Sequence, residues 1–238
     1  MTFSRRTLCL SLAALPLTAC ETLDPAVIDG ILGSGALTEG DAALGIRAAL
    51  DNGIGNALSN LGRLDGYFGN PTVRIPLPRE LRDVQNVLGP LGLDGILVEL
   101  EQQLNRGAEQ AAPVARDIFV DAVRGLTIQD AIGIVRGPET AATDYLRGRT
   151  TDRLAALFSP IMESALANTG ALRLIDDLDR QVPTGLLTGS GQSLRTELIG
   201  HGVDYGLRGV FHFIAEEEKA IRRDPAARTS AILRRVFG

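Results

Sequence analysis

Apolar residues recur three and four positions apart along most of the chain, which is the pattern of amphipathic α-helices. Capping residues and glycine or proline stops divide this pattern into separate helices. The predicted helices cover residues 38–62, 78–88, 94–113, 127–136, 139–147, 151–158, 160–168, 172–182 and 193–223. Pro113 breaks or kinks the third helix, whose continuation runs to Gly125, and a final helix begins at Asp224-Pro225. Clear β-alternation is confined to one proline-rich stretch. The pattern therefore predicts an all-α protein, a multi-helix orthogonal bundle.

The stretch Tyr67–Pro78 breaks the helical pattern. It contains three prolines and alternating apolar residues, which exclude a helix and favour extended structure. Arg74 is an ionic residue between Val73 and Ile75 in this apolar segment. We therefore expect one extended proline-rich segment within the bundle, with Arg74 as a candidate residue for a ligand or partner site.

The first 20 residues follow a different pattern, in which two arginines precede a short uncharged run. The run, Thr7–Leu17, is shorter than the roughly 20 apolar residues that span a bilayer, so it predicts a removable signal. It ends in Leu17-Thr18-Ala19-Cys20, which resembles the lipobox of bacterial lipoproteins. In that family the signal is cut before the cysteine, whose thiol and amine then carry acyl chains. Cys20 is thus the predicted lipid attachment site.

This pattern divides the chain into three parts. Residues 1–19 are the predicted lipoprotein signal peptide, residues 20–37 a lipidated tether and residues 38–238 a single helical domain. A plain cleaved signal is the alternative to a lipoprotein signal. Because Ser4–Leu8 partly resembles a twin-arginine export motif, the general secretory and the twin-arginine routes both stay open.

Acylation has a physical consequence for localisation. One acyl chain holds a protein only marginally, whereas two or more hold it stably. The membrane is therefore the predicted partner, contacted through the N-terminal acyl chains, and the expected location is the bacterial cell envelope on the periplasmic face. Glu21 follows the cysteine, where aspartate is the usual signal for retention in the inner membrane, so we favour the outer membrane.

Charge and cysteine content exclude several classes of function. The chain carries a formal charge of −5, and without the two arginines of the signal it lies near −7. This charge argues against a nucleic-acid partner and against broad electrostatic adhesion to anionic lipid. Cys9 leaves with the signal and Cys20 is expected to be acylated, so the mature chain has no disulfide and no thiolate metal site. We predict no cofactor.

Three stretches of the chain resemble a known family. They are Tyr67–Pro78, Ile118–Thr151 and the C-terminal Ala215–Arg222 with Asp224–Thr229, and they are similar to the domain-of-unknown-function 4197 family. The stretch Gln181–Ser193 is the least similar. The resemblance implies a bacterial protein, often a lipoprotein, and it implies no particular activity.

The densest polar group lies in the middle of the chain, at Asp130, Asp144, Tyr145, Arg147 and Arg149. Asp144 and Arg147 are three residues apart and share a helix face. The Gly-Pro-Glu-Thr sequence before them predicts a helix N-terminus, which attracts anions. These residues form a candidate ligand or partner site, and the alternative is an intramolecular salt-bridge network that holds short helices together.

The long C-terminal helix carries both histidines. His201 and His212 share one face but lie roughly 16 Å apart, too far to share a metal. His212 and Glu216, one turn apart, are a candidate metal-binding or acid–base pair, or an ordinary surface pair. We predict no metal site.

Two further features of this helix concern packing. Three glycines, Gly202, Gly206 and Gly209, fall on one side, where they admit a closely packed helix or form a slot for a ligand. Glu218 and Arg222 are spaced for a solvated i,i+4 ion pair.

The sequence contains no serine-hydrolase, zinc-protease, P-loop or dinucleotide motif. The leading hypothesis is a lipid-anchored envelope protein that acts as a binding or structural module facing the periplasm, with an envelope protein or an apolar ligand as partner. The alternative is a periplasmic enzyme that uses acid–base residues of the polar cluster around Asp130, Asp144 and Tyr145. A convergent pocket with buried carboxylates favours the enzyme.

Overall fold

The computed structural model describes residues 39–91, 94–167, 170, 173 and 193–223. Within these residues there are seven α-helices and no strand, which confirms the all-α bundle. The helices are α1 (Glu39–Leu61), α2 (Arg79–Leu88), α3 (Gly95–Val114), α4 (Arg116–Arg124), α5 (Ile128–Arg136), α6 (Ala141–Ala167) and α7 (Leu194–Arg223), and a short 3-10 turn, Gly89–Leu91, follows α2. None of them is long and apolar enough to cross a membrane.

Several predictions fall on other parts of the chain. The signal peptide, Cys20 and the tether, the helix over residues 172–182 apart from residue 173, and the final helix after Asp224 lie outside the described residues. The described helices belong to one compact unit, Leu37–Gly238. The division of residues 1–37 into signal and tether stays a prediction.

The core forms where α3, α6 and α7 pack on one another and α1 packs on α7. The apolar stripe of α3 is fully buried at Leu100, Leu104, Ala108 and Ala111 and partly buried at Leu97. It is joined by the fully buried Leu146, Leu154, Phe158 and Met162 of α6. Side chains spaced by about four residues along each helix thus form one continuous hydrophobic core.

The prediction of three helices between Glu139 and Asn168 was wrong, because α6 is a single helix of 27 residues with Pro160 inside it. Its buried face continues on both sides of this proline, from Phe158 to Met162, against α3 and α7. Tertiary packing along the whole length therefore outweighs the helix-breaking tendency of the proline.

The glycine face of α7 admits close neighbours, as predicted. A β-carbon at Gly202 would lie 2.9 Å from Leu104 Cδ2 and from Met162 Sδ, and one at Gly209 would lie 2.6 Å from Tyr67 Cε1. These spaces are filled by core side chains. The face is a packing surface rather than an open slot.

The proline-rich segment Tyr67–Pro78 forms mostly turns up to Val73 and has no regular secondary structure over residues 74–78. The prediction of an extended segment was therefore wrong for its first half, and for residues 74–78 it stays a prediction. Asp65, in the turns that precede this segment, has a φ of 62°, a left-handed conformation that non-glycine residues rarely adopt. A β-carbon at Gly66 would lie 2.3 Å from the Leu61 carbonyl oxygen, so only glycine fits there.

Candidate functional site

The buried side chain of Asn105 in α3 fixes the middle of the proline-rich segment. Its Oδ1 accepts a hydrogen bond from the Ile75 N–H at 2.8 Å, and its Nδ2 donates to the Ile75 and Glu101 carbonyls at 2.9 and 2.8 Å. Asn105 is 0% exposed. The amide thus pairs both backbone groups of Ile75 in the interior, where unpaired groups are costly.

Glu109, one turn further along α3, fixes the start of the segment. Its Oε1 accepts hydrogen bonds from the Tyr67 and Phe68 N–H groups at 3.1 and 3.2 Å, and its Oε2 accepts one from Arg106 at 2.6 Å. The side chain is almost fully buried. A carboxylate in the interior is tolerated here because each oxygen is hydrogen-bonded and a guanidinium balances the charge.

The helix α7 holds the same segment from the other side. The buried hydroxyl of Tyr67 donates to the Gly206 carbonyl at 2.7 Å. Burial raises the pKa of Tyr67 far above its ordinary value, and the charge of Glu109 raises it further, so the hydroxyl remains a donor. His201 Nε2 lies 2.7 Å from the Pro76 carbonyl, which can only accept, so Nε2 carries the hydrogen. Burial lowers the pKa of His201, and the ring is neutral at neutral pH.

These contacts present a concave surface that we name the Phe68 cleft. The half-buried Phe68 ring has Arg74 Cζ at 4.2 Å and Arg106 Cζ at 5.9 Å from its centroid. Arg74 pairs with Glu101 at 2.9 Å, and Arg106 pairs with Asp65 at 2.8 Å. The cleft has a volume of about 500 Å³ and is lined by Asp65, Phe68, Gly69, Pro71, Arg74, Gln102 and Arg106.

The sequence singled out only Arg74 from this cleft. Phe68 and Arg106 were missed because an aromatic residue in a turn and an arginine on a helix carry no local signal of proximity. Only the folded structure brings these residues together, since Arg106 donates a hydrogen bond to Asp65, which lies 41 positions away in the sequence.

The structure places the polar residues predicted in the middle of the chain at two separate sites. Consecutive helix residues point about 100° apart, so Asp144 and Tyr145 face different neighbours. Asp144 lies at the surface with Arg147, at 3.1 Å. Asp130 forms a capping box with Thr127 at the start of α5, because its carboxylate accepts from the Thr127 N–H and Oγ1 at 3.0 and 2.7 Å. The two carboxylates of the enzyme hypothesis thus serve separate local contacts.

Tyr145 lies at the second site, which we name the Tyr145 corner. This site consists of Tyr145 with Arg47, Arg149 and the capping residue Asp130. Arg149 Cζ lies 5.2 Å from the Tyr145 ring centroid. Burial raises the pKa of Tyr145, the nearby charges of Arg149 and Arg47 oppose this, and that of Asp130 adds to it. The hydrogen bonds from Thr127 lower the pKa of Asp130, which stays ionised.

Arg47 of α1 was missed by the sequence analysis. Its Nη2 donates to the Leu126 carbonyl at 2.6 Å, and its Nε is buried without a partner within the described part of the chain. The sequence does contain one indication of its role, because Arg47 is a charged residue next to the apolar residues Ile46, Ala49 and Leu50, which are buried.

Arg147 and His212 both line a groove between α6 and α7. Arg147 Cζ lies 5.1 Å from the ring centroid of Phe211. The groove has a volume of about 370 Å³ and is lined by Arg147, Thr151, Asp204, Leu207, Arg208, Phe211, His212 and Ala215. Glu216 pairs with Lys219 at 2.9 Å, and this contact lowers the pKa of Glu216. Among the described contacts, the hydrogen bond of Glu216 is thus to Lys219 rather than to His212.

The N-terminus of α6 holds an anion, as such helix ends do, and this anion is the protein's own Glu218. Its carboxylate accepts from the Ala142 N–H at 3.0 Å and from the Thr143 N–H and Oγ1, both at 2.8 Å. Arg222 pairs with it at 2.9 Å and also donates to the Ile134 carbonyl. The prediction of a solvated pair was wrong, since the side chains of Glu218 and Arg222 are only 8% and 13% exposed.

In the part of the chain that the structure describes, no set of three or more histidine, cysteine, aspartate or glutamate side chains lies close enough to hold a metal ion. The described residues thus form three candidate sites, which are the Phe68 cleft, the Tyr145 corner and the groove between α6 and α7.

These features define the protein as an all-α bundle with a surface segment that is braced by buried polar side chains. It belongs to the family described as protein of unknown function (DUF4197), which matches residues 36–238, and this confirms the resemblance found from the sequence. No curated protein and no solved structure matches the chain.

Proposed function

We propose that the protein is a lipid-anchored protein of the bacterial cell envelope whose helical domain binds an envelope partner through the Phe68 cleft. The lipobox-like sequence that ends in Cys20 supports the anchor. The cleft supports the binding role. The family brings no activity of its own, so the proposal depends on the residues of this chain.

The observation that carries the binding role is the bracing of the cleft by buried polar groups. Burying an amide and a carboxylate is costly unless every hydrogen bond is made. Asn105 and Glu109 nevertheless lie in the interior, and their side chains hold the backbone of Tyr67, Phe68 and Ile75. A loop held rigid in this way presents a preorganised surface, which reduces the entropy lost on binding.

The chemistry of the cleft fits a segment of another protein. An accessible aromatic ring flanked by guanidinium groups is typical of the centre of protein interfaces. An apolar ligand finds less room, since the apolar cavity between α1 and α7 holds only about 20 Å³, space for roughly one water molecule. We therefore favour an envelope protein over an apolar ligand as the partner.

Photo-crosslinking in living cells tests the cleft. A photoreactive residue at Gln102, which lines the cleft, is expected to form a discrete covalent adduct in the membrane fraction, because a bound segment would lie against it. The control places the same residue at the exposed Asp117 of α4, where we expect none.

Phe68→Ala is expected to reduce the Gln102 adduct at least about tenfold, as loss of an interface anchor does. Equal adducts at Gln102 and Asp117, or a Gln102 adduct that Phe68→Ala leaves intact, would contradict the binding role.

Radiolabelled palmitate tests the anchor. The native chain is expected to incorporate label and to sediment with membranes, because several acyl chains hold a protein stably. Cys20→Ser is expected to lose the label and to remain uncleaved by the lipoprotein pathway. A Cys20→Ser protein that is processed and fractionates like the native chain would refute the anchor.

A further inference from the structure

The Tyr145 corner carries more positive than negative charge, although the chain as a whole is acidic. Within the described residues, neither Arg47 nor Arg149 forms an ion pair. Asp130, the carboxylate that raises the pKa of Tyr145, already accepts hydrogen bonds from Thr127. Arg47 and Arg149 therefore lie near Tyr145 without an ion pair to a carboxylate in the described part of the chain.

Large apolar side chains lie exposed beside these cations. Leu44 precedes Arg47 by one helical turn and is 53% exposed, and Ile128 follows the Leu126 carbonyl bound by Arg47 and is 46% exposed. Single exposed leucines are ordinary. Cations, a tyrosine and apolar side chains next to one another are typical of surfaces that enter the headgroup region of a bilayer.

The corner also lies near the point where the tether enters the domain. α1 begins at Glu39, and Leu44 and Arg47 lie on its first turns. The chain between Cys20 and Glu39 reaches at most about 65 Å even when fully extended. An anchor at Cys20 thus holds this end of α1 at a high effective concentration over the membrane, where a weak contact suffices.

We propose that the Tyr145 corner docks the anchored domain on the membrane surface, with Arg47 and Arg149 bound to phospholipid phosphates and Leu44 and Ile128 in the headgroup layer. This inference rests on the proposed lipid anchor. The net charge near −7 opposes adhesion of the whole surface, so docking depends on this local patch. Docking there would fix which face of the domain is turned towards the periplasm.

Tryptophan fluorescence tests this proposal, because the chain contains no natural tryptophan. Leu44→Trp places a single reporter in the patch, and the matched control, Leu64→Trp, places it at a 74% exposed site beyond the other end of α1. The helix between Leu44 and Leu61 alone spans about 25 Å, at 1.5 Å per residue. Each protein is anchored in vesicles of brominated phosphatidylcholine, with or without brominated phosphatidylglycerol, whose acyl chains quench tryptophan on contact.

We expect strong quenching at position 44 in the anionic vesicles and little at position 64. Arg149→Gln, a substitution at an exposed residue, is expected to weaken docking about fivefold, and Arg47→Gln with Arg149→Gln about 25-fold, since each cation near the surface contributes about fivefold. The control pair Arg79→Gln with Arg82→Gln removes the same charge from α2 and should leave quenching unchanged. Equal quenching at both positions, or quenching that is insensitive to the Arg149 change or to lipid charge, would overturn the proposal.

The same samples separate a failure of docking from a failure of the anchor. The intact mass reports whether Cys20 carries acyl chains. If it carries none, the sole thiol of the chain that begins at Cys20 is coupled to a maleimide lipid, and the quenching is measured on that tethered protein. Absence of acyl chains then counts against the anchor, and absence of quenching at position 44 counts against docking.

Discussion

Glu218→Ala is expected to lower the free energy of unfolding by about 3–5 kcal/mol, the range found when one partner of a buried ion pair is removed. The carboxylate satisfies the N–H groups of Ala142 and Thr143 at the start of α6 and balances the charge of Arg222. Alanine leaves those donors and a guanidinium in the interior without their acceptor. Urea denaturation followed by far-ultraviolet circular dichroism measures the change.

Glu216→Ala is the matched control, because Glu216 lies on the same helix and pairs with Lys219 at the surface. We expect it to change the free energy of unfolding far less than Glu218→Ala does, because exposed ion pairs contribute little to stability. Glu218→Gln should fall between the two, since the amide keeps one acceptor oxygen and loses the charge. Equal effects of Glu216→Ala and Glu218→Ala would show that burial adds nothing to the Glu218 contacts.

The sequence predicts the helices well where local signals agree. The capping box of Thr127 and Asp130 and the stop at Gly125 depend on neighbouring residues, and both lie where the pattern placed them. Pro160 has an equally strong local signal, yet α6 continues through it. The difference is that a packed face of 27 residues stabilises the helix through contacts that a local pattern does not contain.

Burial of polar residues could not be predicted from spacing. Glu216 with Lys219 and Glu218 with Arg222 have the same kind of helical spacing, and only the structure distinguishes the exposed pair from the buried one. The carboxylate of Glu218 is buried because α6 begins 76 positions away in sequence and points its N-terminus at it. An i,i+4 pattern describes contacts within one helix and contains no information about the helices that pack against it.

The candidate site residues show the same limit. Arg74 was found because a cation among apolar residues of an extended segment contradicts its local environment. Asn105 binds the backbone of that segment. Its position in the sequence does not distinguish it from the other polar residues of α3. Its role depends on the Ile75 backbone, 30 positions away.

The two buried polar networks have one feature in common. In each, a side chain of a long helix satisfies backbone N–H groups that no secondary structure satisfies: Glu109 those of Tyr67 and Phe68, and Glu218 those at the start of α6. Such groups must find partners when they are buried. The fold therefore requires polar residues in its interior at the two places where the backbone is irregular or begins a helix.

Asn105→Asp is expected to destabilise the protein by about 3–5 kcal/mol, because it buries a charge without a partner. The two side chains have nearly the same shape, so packing is retained. The carboxylate can still accept from the Ile75 N–H, but it has no hydrogen for the Ile75 and Glu101 carbonyls, which then face a negative charge. Chemical denaturation measures the loss, and hydrogen exchange at the Ile75 amide measures local opening of the segment.

Asn60→Asp, at an exposed position of α1, is the matched control and should change stability by less than about 0.5 kcal/mol. Because the proline-rich segment forms the Phe68 cleft, Asn105→Asp should also abolish the crosslink at Gln102 at temperatures where the protein is still folded. Glu218→Gln, measured under the same conditions, should retain that crosslink, since its contacts lie at α6 and not at the cleft. A crosslink lost equally in both variants would mean that binding follows overall stability, and the rigid segment would then have no special part in it.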